Sequence, residues 1–276
     1  MTDTESETTR LPTLFISHGG GPWPFMESTF GPPGMWDGLA GFLRGLNNDI
    51  GQRPEAALVI SAHWEAKRPA VYAAEHPSLL FDYYGFPEHT YQLTYPAHGS
   101  PEIAARVRKL LESSGIDADE EHERGLDHGV FIPFMLIYPE ADVPIVQLSL
   151  QRDLDPAFHL AMGRALAPLR DEGVLIVGSG LSYHNLRELT STAPKNLAEA
   201  TAFDEWLEKA AEQPDAKTRN RQLIDWEQAP GARTCHPRSD HLVPLFVAAG
   251  AADGDIGRRN YHDTMLGKPV SAFRFG

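Results

Sequence analysis

Four stretches of the chain are apolar almost without a break: Pro12–Ser17 (PTLFIS), Ala56–Ala62 (AALVISA), Val143–Leu150 (VPIVQLSL) and Val174–Gly178 (VLIVG). Short continuous apolar runs bounded by turn residues read as strands covered on both faces. Helical segments are predicted between and after them, near Met35–Asn47 and over Pro101–Ser114, Pro156–Asp171, Leu197–Gln213 and His241–Gly250. The Pro101 segment carries its proline in the first turn, where the missing N–H removes no helical bond. Gly129–Tyr138 (GVFIPFMLIY) is apolar all round and fits a buried helix despite Pro133. Ala70–Ala74 and Ala272–Phe275 are further strand candidates, and Ser78–Ser100, rich in aromatics, Gly and Pro, reads as a long structured loop.

Buried strands alternating with helices predict an α/β fold: one domain with a central, mostly parallel or mixed sheet covered by helices on both faces. No repeat or low-complexity linker divides residues 11–276, so they read as one catalytic domain. Met1–Arg10 is polar and acidic, lacks the basic start and apolar run of a signal peptide, and reads as a short disordered leader.

Composition removes several classes of function. A net charge of −14 argues against nucleic-acid binding and against anionic membranes. No stretch approaches the roughly 20 apolar residues that cross a bilayer. The single cysteine, Cys235, excludes an internal disulfide and points to a reducing cytoplasm. Nothing in the composition sets the oligomeric state.

Twelve histidines are many for this chain, and their placement is informative. His18 follows the first strand, His63 the second, and His184 lies six residues beyond VLIVG. In sheets of this kind ligands bind outside the carboxyl ends of the strands. His128 precedes the buried helix, and His236 and His241 (HPRSDH) stand at the start of another, where the helix dipole disfavours protonated imidazole. Several imidazoles at independent strand ends indicate a metal site. Three histidines suit zinc, whereas non-haem iron oxygenases usually combine two histidines with a carboxylate, so iron and zinc both remain open. Nearby carboxylates are Glu65, Asp127 and Asp240, with Asp127 expected to orient a neighbouring histidine. His76, His89, His98, His122, His159 and His262 are assigned to loops or polar helix faces.

The ordered set PTLFISHGGGP, VISAHWE, YYGFPEHTYQLTYPAHGSPEIA, LDHGVFIPFMLIYPEADVPIVQLSL, VGSGLSYHNL and HPRSDHLVPL resembles the class III extradiol ring-cleavage dioxygenases, closest to their DOPA dioxygenase-type branch. The likeness spans about Leu11–Ala249. It implies that His18, His63 and His241 bind one divalent metal, with His236 as the alternative third ligand. It also implies that His184 is the catalytic acid/base and that His128 contacts substrate or oxygen. A catechol and O2 would be the reactants, Fe(II) the catalytic ion, and Zn(II) an ion that the isolated protein takes up. One departure stands out: this chain reads His18-Gly19-Gly20-Gly21-Pro22-Trp23 where many relatives read HGSP, which bears on the pocket beside the first ligand. The aromatic loop Phe81–Tyr95 either walls that pocket or packs the core. The rival functions are a zinc hydrolase or lyase using the same histidines, and a non-enzymatic binding module of the same fold.

Overall fold

The computed structural model describes residues 10–27 and 31–276. Nearly all of the leader expected over Met1–Arg10 lies outside the described residues. The strands are β1 (Thr13–Ser17), β2 (Ala56–Ala66), β3 (Ala70–Tyr72), β4 (Asp119–Glu121), β5 (Ile145–Gln151), β6 (Val174–Gly180), β7 (Gly257–Met265) and β8 (Lys268–Phe275). The helices are α1 (Asp37–Ile50), α2 (Pro101–Ser113), α3 (His128–Ile137), α4 (Pro156–Leu166), α5 (Pro194–Ala211), α6 (Ala216–Ile224), α7 (Ala232–Cys235) and α8 (Val243–Ala251).

The strands form one mixed sheet in the order β4-β3-β5-β2-β6-β1-β8-β7. Its centre, β5-β2-β6-β1, is parallel throughout, while β8 joins β1 and β3 joins β5 antiparallel. These four central strands are the four apolar runs. Their side chains divide by the period of two. Phe15, Leu58, Ile60, Leu148 and Ile176 enter one core, shared with Val107, Leu160, Phe203 and Phe246 of the helices on that face. Leu14, Ile16, Val59, Ile145 and Val177 enter the other, shared with Leu43, Leu46, Phe131 and Phe134 of α1 and α3.

Several predicted elements differ in extent. The run expected as one helix over Pro156–Asp171 is α4 followed by a 3-10 turn at Ala167–Arg170. The last helix starts at Val243, so His241 precedes it. Strand β2 continues past His63 to Ala66 through an irregularity: Ile60 pairs with Leu148 and Glu65 with Leu150, so Ser61–Trp64 stand opposite Ser149 alone. Such a bulge re-aims side chains, and it turns His63 to the carboxyl end of the sheet. His159, expected on a polar face, is fully buried, with its ring beside the Gln151 amide at 3.1 Å and the Asp155 carbonyl at 2.7 Å. It joins α4 to β5.

The approach of the segment before α8 to β6 is the feature that matters most for the site. The Leu181 amide donates to the His241 carbonyl at 3.0 Å. A Cβ on Gly180 would lie 2.1 Å from that same oxygen, so only glycine permits this contact. Gly180→Ala is therefore expected to displace His241 and lower stability by about 1–3 kcal/mol, as overpacking does. Gly41→Ala, on α1, adds a methyl that meets nothing within 4 Å and should stabilise by roughly 0.5–1 kcal/mol. Urea unfolding of both variants checks the pair.

Candidate metal and substrate site

His18 is carried by the last hydrogen bond of the β1–β6 ladder, its amide donating to the Gly180 carbonyl at 3.1 Å. The next residue turns away at φ +78, and a side chain there would collide with the Trp23 indole. That indole N–H donates to the His18 carbonyl at 2.8 Å, and the Trp23 ring stacks on Trp36 at 5.2 Å. The departure from the HGSP pattern thus builds one wall of the pocket.

Five imidazoles, of His18, His63, His128, His184 and His241, line one cavity of about 310 Å3 at the carboxyl ends of β1, β2 and β6. His18 Nε2 lies 3.1 Å from His63 Nε2. The ring of His241 is 5.2 Å from that of His18 and 4.8 Å from that of His63, centre to centre. His128 is 4.0 Å from His63, and His184 lies face to face on His241 at 3.4 Å. Two sets of donors each converge within 4.8 Å: His18 with His63 and His128, and His184 with Asp240 and His241. His236 is not among them. Its ring donates from Nε2 to the Ser182 carbonyl at 2.9 Å and packs against Phe203 and Trp226, which makes it a core residue behind the His184 loop.

The partners of the ring nitrogens decide which nitrogens face the cavity. The Ser179 hydroxyl donates to the Gly129 carbonyl, so it accepts from His18 Nδ1–H at 3.1 Å. His128 Nδ1 lies 2.7 Å from Asp82 and His241 Nδ1 3.1 Å from Asp240, both acceptor-only carboxylates. In all three rings Nδ1 carries the proton and Nε2 keeps its lone pair, the arrangement that metal-ligating histidines adopt. His63 Nδ1 faces Asp82 at 3.7 Å. Among the described residues, no side-chain hydrogen bond tethers His184.

Burial favours the neutral form of His18, His63, His184 and His241. It draws His18 and His241 well below the usual imidazole value, with mutual repulsion adding to the effect. His63 falls to about 3, first through burial and then through His128. His184 is lowered by burial, with Asp240 pulling the other way. Several neutral nitrogen donors with free lone pairs fit a divalent transition metal.

Asp82, which the sequence reading did not single out, accepts from both the backbone N–H of His128 at 3.0 Å and its ring, capping α3 and orienting its first side chain. A lone carboxylate inside the aromatic run LLFDYYGF was the available signal, since such a charge requires a partner. Asp127 does not orient a histidine. It is fully buried, accepts from Ser61 at 2.7 Å, from Gln147, and from Arg124 at 3.1 Å, and so braces the β2 bulge. Burial raises its pKa, Arg124 opposing. Glu65 forms a two-pronged pair with Arg238 at 2.5 and 2.6 Å. The aromatic loop divides: Phe86 lines the cavity, while Phe81, Tyr83 and Tyr91 pack with one another and on Phe131.

A family profile described as the catalytic LigB subunit of aromatic ring-opening dioxygenase matches residues 12–272. A protein of Beta vulgaris named 4,5-DOPA dioxygenase extradiol is 41% identical over 96% of this chain and 96% of its own length. One of the same name from Escherichia coli K12 is 36% identical, covering 90% and 87%. The dioxygenase tasH of Hapsidospora irregularis is 39% identical over 96% of this chain and 85% of its own. The crystal structure of an uncharacterized Escherichia coli K12 protein superposes with TM-score 0.77 and 31% identity, covering 97% of this chain and 100% of that one.

The buried neutral histidines carry a pH dependence. His236, lowered by burial to about 4 from 6.5, has an unpartnered Nδ1 with no acceptor for an added proton. The unfolded chain takes up that proton first, so stability is lost as pH falls below about 6.5. Urea unfolding of metal-free protein is expected to show a loss of roughly 2 kcal/mol between pH 7 and pH 5 from this residue. Constant stability over that range would show that His236 protonates without hindrance.

Proposed function

The chain belongs to the LigB family of aromatic ring-opening dioxygenases, and from that premise we propose that His18, His63 and His241 hold one divalent ion, with His184 as acid/base and His128 against substrate or oxygen. The enzyme is an extradiol ring-cleavage dioxygenase: it is metal-dependent and acts on a small aromatic substrate with O2. The relatives do not favour the hydrolase, lyase or binding-module alternatives. We further propose a catechol as that substrate and Fe(II) as the catalytic ion. The single buried cysteine supports a reducing, cytoplasmic setting.

The observation that carries the residue assignment is the convergence of five imidazoles on one cavity, three of which, His18, His128 and His241, have Nδ1 partners that leave the Nε2 lone pair free. Fe(II), when bound, supplies the one-electron chemistry with O2 that neither imidazole nor Zn2+ provides. The protein's own contribution is proton handling and orientation. In this reading His184 takes a proton from a catechol hydroxyl at a ring nitrogen and returns it as the ring opens, a role that its lowered pKa and its place against His241 support. His128 accepts at Nε2 while Asp82 holds Nδ1–H, so a proton gained there leaves an imidazolium paired with a carboxylate. His128 with Asp82 is for that reason the second candidate base.

Protein loaded anaerobically with Fe(II) should consume O2 and catechol one to one, and the Zn(II)-loaded form should not. Equal rates for the two would defeat the redox role. His184→Gln is expected to lose roughly 10²–10⁴ in turnover with metal content intact. Loss of the metal in that variant would move His184 among the ligands, and normal turnover would pass the proton to His128. Metal analysis of His241→Ala and His128→Ala distinguishes the proposed third ligand from its neighbour.

A further inference from the structure

Resting on the ring-cleavage reading above, we infer that this enzyme takes catechols whose ring substituent is uncharged and apolar, in preference to catechols bearing a carboxylate or an amino-acid group. The cavity is divided chemically. Its histidines form one end, and the remaining wall is built largely of side chains such as Trp23, Trp36, Met26, Phe86, Leu189 and Met265. The two ring hydroxyls require the polar end. A substituent para to one of them then projects into the apolar end.

Among the described residues, no lining residue is Lys, Arg, Asp or Glu. Residues 1–9 and 28–30 include no Lys or Arg in sequence. Four ionic side chains near the cavity are engaged elsewhere. Arg238 grips both oxygens of Glu65 at 2.5 and 2.6 Å, and Arg124 is held by Asp127 at 3.1 Å and by the His63 carbonyl at 2.9 Å. Asp82 and Asp240 are turned onto His128 and His241. Of the two indole N–H groups in the apolar wall, that of Trp23 is bound to the His18 carbonyl at 2.8 Å.

A carboxylate placed against this wall gives up its hydration with no cation to replace it, and a site that leaves a buried charge unpaired discriminates strongly. The protein's net charge of −14 adds a long-range field against anions. An alkyl chain in the same place gains about fourfold in binding for each methylene buried. A cavity of about 310 Å3 accommodates a ring with a short chain. The inferred substrate differs from the amino-acid catechol in the names of several relatives.

Three probes with one ring test this: 4-propylcatechol, 3-(3,4-dihydroxyphenyl)propanoate and DOPA. The first two have the same chain length and differ in charge. Their binding to the zinc-loaded protein can be followed by tryptophan fluorescence, since Trp23 and Trp36 line the cavity. Their kcat/KM is measured with the Fe(II)-loaded enzyme. 4-Propylcatechol is expected to bind, and to be turned over, about 100-fold better than either charged probe. Leu186 lines the mouth and is 69% exposed, so Leu186→Arg introduces a cation without disturbing the core. That variant should improve the propanoate roughly tenfold relative to wild type and weaken 4-propylcatechol. Equal or better use of the propanoate or DOPA by wild type, as when the Gly19–Gly21 amides hold the carboxylate, overturns the inference; so does failure of all three probes to bind. Selective binding without oxygen uptake leaves the inference standing and defeats the ring-cleavage reading, whereas oxygen uptake without selectivity does the reverse.

Discussion

Burial presses His18, His63, His184 and His241 toward the neutral form in one shared cavity, and much of the architecture around the site serves that condition. Burial disfavours the protonated rings, and a proton on any one ring would repel a proton from its neighbours. Neutral rings have two tautomers, and only one presents Nε2 to the cavity. Ser179, Asp82 and Asp240 select it for His18, His128 and His241. The Ser179 hydroxyl can act as acceptor there because its own proton is given to the Gly129 carbonyl, at the start of α3. A metal centre in this protein is therefore prepared by ordinary hydrogen-bond accounting before any ion arrives.

The same condition explains the division of the cavity. Polar groups are concentrated at the carboxyl ends of β1, β2 and β6, where strand termini deliver them. The opposite wall comes from the turn after β1, the residue before α1, the end of β7 and the loop after β6, which contribute Trp23, Trp36, Met265 and Leu189 respectively. An apolar wall lowers the local dielectric and so helps to keep the imidazoles uncharged. It also determines what a substrate can carry on its ring.

Some of this was legible in the chain. The four apolar runs specified the parallel centre of the sheet, because continuous burial leaves a local signature. The edges left none. β4 is the acidic triplet Asp119–Glu121 and β7 is the largely polar GRRNYHDTM, and these two strands close the sheet on either side. Polar edge strands protect a sheet from further pairing and for that reason do not look like strands in sequence. The polar helix α6 was missed on similar grounds: its anchor is Arg219, buried through bonds to the Ala249, Asp253 and Asp255 carbonyls rather than through an apolar stripe.

By itself the sequence determined where the chemistry-bearing histidines would be delivered. His18 follows β1, His63 lies within β2 and His184 follows β6, and the side of the sheet on which strands end is set by strand direction. Tertiary structure alone decided what those histidines meet. Asp82 reaches His128 from 46 residues away, and Ser179 reaches His18 from 161 residues away. His241 arrives against β6 only because residue 180 has no side chain to keep its carbonyl out. Such pairings leave no periodic trace, since they depend on the close approach of distant backbone segments. That approach is a property of packing and not of any local run of residues.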